Sequence, residues 1–157
     1  MAEDSAEPIA QGRVIHDVVW GVTDRMHPSR GVMRYSSMED GLSKLIVEVD
    51  RDIAFLARCL APKTLRLNGQ RYPPHISVIR HEDVCNHWKW GKYEGKTVGF
   101  EYGSYVFNDE RFYWLRAKSD SLVEIRLALG LRAHSRFSMP PAGSRWFHIT
   151  IGNTRDL

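Results

Sequence analysis

Cysteine is scarce in this chain. Cys59 and Cys85 are the only two in 157 residues, too few for a disulfide framework and without metal-ligand spacing. Long apolar runs are missing too, none approaching the ~20 residues of a membrane-spanning helix. The opening residues, MAEDSAEPIAQG, are acidic where a secretory leader needs a basic start and an apolar middle. No solenoid-length repeat and no low-complexity tract is visible. These absences predict a soluble, cytoplasmic protein in a reducing compartment, with no membrane contact and no obligatory protein partner.

What is present is an ordinary globular balance. Apolar residues make up 43% and charged residues 26%, which excludes global disorder, collagen-like repeats and a coiled coil. The length suits one domain, or two small lobes sharing a core. Residues 1–12 read as a disordered tail and 13–157 as one folded unit. Glu3, Asp4 and Glu7 stand in that tail without any Lys or Arg, so the net +3 of the chain becomes +6 on the remainder. A basic body attracts anions, phosphates among them.

Residue patterns divide the chain into strands and two helices. Arg13–Trp20 has β-branched content, and 21–41, rich in Gly, Pro and Ser, reads as loop. Leu45–Val49 is a short apolar run, read as a buried strand. Asp50 can cap a helix whose Ile53, Leu56, Ala57 and Leu60 fall on one face, with Cys59 buried beside them and Pro62 as the stop. His75–Ile79, Val98–Phe107 and Phe112–Lys118 read as strands. Ser119 caps a second helix with Leu122, Ile125 and Leu129 as its buried stripe and Gly130 as its end. A Pro-Pro-Ala-Gly turn at 140–143 precedes a last strand, Trp146–Gly152. This order implies two α+β halves, each with a helix over a mainly antiparallel sheet.

Two segments share one pattern: His75-Ile76-Ser77-Val78 and His148-Ile149-Thr150-Ile151. Side chains alternate along a strand, so His75 and Ser77 emerge together, ~7 Å apart, with Ile76 and Val78 pointing into a core. His148 and Thr150 repeat the arrangement. With seven histidines in the chain, the bare His-x-Ser/Thr pattern is cheap, as His27-Pro28-Ser29 shows. Requiring apolar residues at both flanking positions lowers the chance expectation to roughly 0.1. Two occur.

Zinc would want three or four ligands, and neither segment offers a second ligand at i+2. A serine hydrolase would want its nucleophile on a tight Gly-flanked turn. Two His–hydroxyl pairs supply something else: an acid, a base and a cradle. With an imidazole pKa of ~6.5, one ring can be neutral and the other protonated near pH 7. One can deprotonate a nucleophile beside a phosphate while the other protonates the departing oxygen. Ser77 and Thr150 can donate to oxygens on which charge builds. No metal or other cofactor is needed.

The paired motifs, 73 residues apart, resemble the signature of the 2H phosphoesterase superfamily. The resemblance spans Lys44–Asn153 through motif, spacing and strand–helix order. It implies a bilobal fold, two mainly antiparallel sheets around a central cleft with helices outside. It also implies His75 with Ser77 and His148 with Thr150 as catalytic pairs. The implied activity is that of a metal-independent phosphodiesterase. Substrates would be 2′,3′-cyclic phosphate RNA ends, 2′,5′-linked oligoadenylates or cyclic oligonucleotide signals. Two other roles fit the same motifs: a module that binds RNA ends or nucleotides without cleaving them, and a viral or phage antagonist of nucleotide immune signalling.

Tyr72, Trp146 and Arg80 flank the motifs and are candidate substrate contacts, through base stacking and phosphate clamping. Strict alternation from His75 turns Arg80 away from the cleft, and a bend would restore it. Trp88, Trp90 and Trp114 read as packing residues. The run HWKWGKY at 87–93 reads equally as a nucleic-acid-binding loop or an exposed amphipathic one.

Overall fold

The computed structural model describes residues 18–21, 23, 25–38, 43–109, 111–135 and 146–154. The tail 1–12, most of the segment beginning at Arg13, and the turn at 140–143 lie outside the described residues. In chain order the elements are β1 (Val18–Trp20), β2 (Met26–Tyr35), β3 (Lys44–Glu48), α1 (Arg51–Cys59) and β4 (His75–Arg80). After a 3-10 turn at His87–Lys89 come β5 (Thr97–Asp109), β6 (Phe112–Lys118), α2 (Asp120–Ala128) and β7 (Phe147–Asn153).

The expected two sheets around a cleft are not formed. All strand pairings are antiparallel, in the order β1-β5-β2-β3-β4-β7-β6, and β6 pairs back onto β5. The result is a single closed six-stranded barrel, to which β1 adds along the later part of β5. Closure removes every free edge among the six strands. It required β2, a ten-residue strand in the stretch read as loop. Pro28 sits where β2 pairs with β5 but not yet with β3, so its missing N–H breaks no ladder. Gly31 lets β2 cross close to β3: a Cβ there would lie 2.5 Å from the Glu48 carbonyl oxygen. Both residues looked like loop punctuation and are strand devices.

The barrel interior is filled by alternate residues: Leu45 and Val47, Ile76 and Val78, Tyr113 and Leu115, Phe147, Ile149 and Ile151. α2 closes over it with Leu122, Ile125 and Leu129, as the stripe predicted, and Ser119 accepts from Leu122 N at its start. The other helix differs from expectation. Asp50 does cap α1, accepting from Asp52 N, but the buried residues are Ile53 and Ala54. Leu56 and Leu60 are each 59% exposed and Cys59 is exposed, because the helix is rotated to sit on β7. Among the described residues no helix is long and apolar enough to cross a membrane.

The element order β2-β3-α1-β4 recurs as β5-β6-α2-β7. α1 packs on β7, the motif strand of the other unit, and α2 packs across β5 and the other unit's motif strand β4. Arg58 of α1 donates to the Ile151 carbonyl at 2.7 Å, and Arg126 of α2 donates to the Val78 carbonyl at 2.7 Å. Both acceptors lie three residues beyond a motif histidine. Matching arginines thus tie each helix to the motif strand of the other unit.

Candidate functional site

β4 and β7 are neighbours, and their ladder is a single pair, Ile76 opposite Ile149. Both isoleucines point into the core. Continuing the antiparallel register from that pair places His75 across from Thr150 and Ser77 across from His148. All four motif side chains alternate with the inward residues and therefore emerge on the outer face of the barrel, around the Ile76–Ile149 pair. The two imidazoles occupy one diagonal, the two hydroxyls the other.

The corners have different surroundings. Glu48 stands beside His75 on β3, and Arg34 holds that carboxylate at 3.0 Å; this hydrogen bond is the main reason the Arg34 pKa is raised. His75 Nδ1 lies 3.0 Å from the Pro73 carbonyl. A carbonyl only accepts, so Nδ1 carries the proton and neutral His75 keeps its lone pair on Nε2. Beside His148 on β6 stands Arg116. The His148 ring packs on Trp114 with centroids 4.2 Å apart, and Trp114 stacks on Phe107 at 5.1 Å. His148 Nε2 is sealed from solvent. The Arg116 guanidinium lies 4.2 Å over Phe107 and 5.1 Å over Trp146. Burial lowers its pKa, though a guanidinium stays charged.

The remaining predicted contacts fall into place unevenly. Arg80 is restored to the motif face by a bulge. Leu45 pairs with Ile79 and Ile46 with Ser77, so Val78 is the extra residue, and both Val78 and Ile79 point inward. Arg80 is then exposed beyond Ser77. Trp146 is half-buried against Arg116. Tyr72 is 68% exposed and stands on the wall of a groove. In the HWKWGKY run, Trp90 packs edge-on against Tyr35 and donates to the Ser36 carbonyl, while Trp88 is outward.

That groove, of about 640 Å³, runs between α1 and the 70–74 loop and reaches Thr150. Arg51, Arg58 and Arg71 line it. The sequence reading did not single out these arginines, nor Arg116. Arg116 had a signal: it shares the parity of Trp114 in a strand that pairs with the second motif. The groove arginines had none, since they meet only through the rotation of α1 and the path of the loop. Comparison with protein-family models, curated proteins and solved structures gave no significant match for this chain.

Proposed function

We propose that the β4–β7 face is the active site of a metal-independent phosphodiesterase acting on a 2′-linked or cyclic nucleotide or oligonucleotide phosphate. The carrying observation is the four-cornered set of His75, Ser77, His148 and Thr150 around Ile76 and Ile149. A phosphate lying over that point has an imidazole on either side and an alcohol beside each. One histidine takes the proton of water or a ribose hydroxyl, the other delivers one to the leaving oxygen, and the hydroxyls donate to the non-bridging oxygens. His75, with Nδ1 tied to Pro73, presents Nε2 for this exchange. Arg116 and Arg80 add positive charge along the same face.

The test is turnover of a panel: 2′,3′-cyclic mononucleotides, 2′,5′-oligoadenylate, and cyclic di- and trinucleotides. His75→Ala and His148→Ala should each lose at least ~10²-fold, the usual worth of a positioned acid or base, and EDTA should change nothing. Full activity in either variant, or loss to EDTA, overturns the mechanism. A second reading, nucleotide binding without cleavage, is favoured by the packing of His148 on Trp114. Binding across the panel with no product from any member would select it.

A further inference from the structure

We infer that the groove beside the His75–Thr150 corner is a nucleotide subsite, so that the preferred ligand is a single-stranded oligonucleotide longer than one residue. This rests on the proposed site only for its direction: the strand would run from the motif face past Thr150 into the groove. The groove itself argues for such an occupant. Three arginines against one carboxylate, Asp52, give it a positive lining. Phe55, 53% exposed, and Tyr72, 68% exposed, belong to the same lining. Cationic groups that track phosphates, combined with aromatic faces for bases, are what sequence-tolerant single-strand binding uses. About 640 Å³ lies within the ~300–1,000 Å³ typical of small-ligand sites, ample for a nucleotide.

The walls are built before any ligand arrives. Arg58 is fixed by the Ile151 carbonyl. The loop is tied to the end of β7 by two backbone hydrogen bonds between Asn68 and Asn153 and by Asn153 Nδ2 donating to Gln70 Oε1 at 2.7 Å. Arg51 and Arg71 are exposed on opposite walls. A mononucleotide on the motif face would leave this lining unused.

Fluorescence anisotropy with fluorescein-labelled hexa-adenylate tests the assignment without requiring turnover. The double variant Arg51→Glu/Arg71→Glu should weaken binding at least tenfold. It should also flatten the dependence of log K on log salt by about 1.4, two lost phosphate contacts at about 0.7 each. Tyr72→Ala and Phe55→Ala should each weaken it about tenfold with the salt slope unchanged. Lys96→Glu, exposed just before β5 and outside both the groove and the motif strands, should have no effect. Equal binding by the double variant overturns the subsite, and so does an equal loss in Lys96→Glu, which would mean diffuse attraction. Groove-dependent binding with no turnover of any substrate sinks the catalytic reading and keeps the subsite. Turnover that depends on both histidines but not on the groove does the reverse.

Discussion

The two motif strands carry the same pattern into different surroundings. On the β4 side, His75 is oriented by a backbone carbonyl and stands beside an ion pair and an open, arginine-lined groove. On the β7 side, His148 is one layer of an aromatic stack with Trp114 and Phe107, and its neighbour Arg116 lies over two rings. Topology alone would make these halves equivalent, since each is a strand–strand–helix–strand unit. The contrast teaches that the repeated scaffold places the histidines, while the flanking strands decide how freely each ring moves. An orienting and open corner opposite a packed one is what the proposed division of base and acid between the two rings would use.

The largest effect that would sharpen this contrast concerns the interlocking arginines. Arg126 is buried and binds both oxygens of Glu82 as well as the Val78 carbonyl. Arg126→Met strands a nearly buried carboxylate and should cost about 3–5 kcal/mol in urea unfolding. Arg58→Met, which removes the matching bond from a half-buried position, should cost about 1.5–3 kcal/mol. Equal costs would mean that the halves are held alike.

A smaller difference separates the histidines themselves. His148→Ala gives up its ring contact with Trp114 and should lose about 0.5–1.5 kcal/mol. His75→Ala should stay within about 0.5 kcal/mol of the unsubstituted protein. A larger loss at His75 than at His148 would reverse the assignment of open and packed corners.

Much of the candidate site's geometry was legible because the relevant period is short. Two residues per repeat along a strand is enough to put each histidine with its hydroxyl on one face and isoleucine on the other. The caps Asp50 and Ser119 were readable for the same local reason. Closure was not, because it depends on β5 pairing with both β2 and β6, and on a strand disguised by Pro28 and Gly31. The rotation of α1 was misread as well. Leu56 and Leu60 share a helical face with Ile53, but the surface of β7 meets Ile53 and Ala54 instead. Arg126 shows the limit most clearly. It occupies the buried face of α2 with Leu122 and Leu129, and Glu82, 44 residues away in the chain, together with the Val78 and Arg132 carbonyls makes a charge there tolerable.

The account depends on both imidazoles serving one bound phosphate. The direct measurement is a titration with adenosine 2′-monophosphate, followed through the side-chain NMR signals of His75 and His148 assigned by substitution. A common site predicts that both rings respond with one shared dissociation constant, and that either His→Ala variant weakens the response of the other ring. Independent constants, or a response confined to one ring, would contradict it.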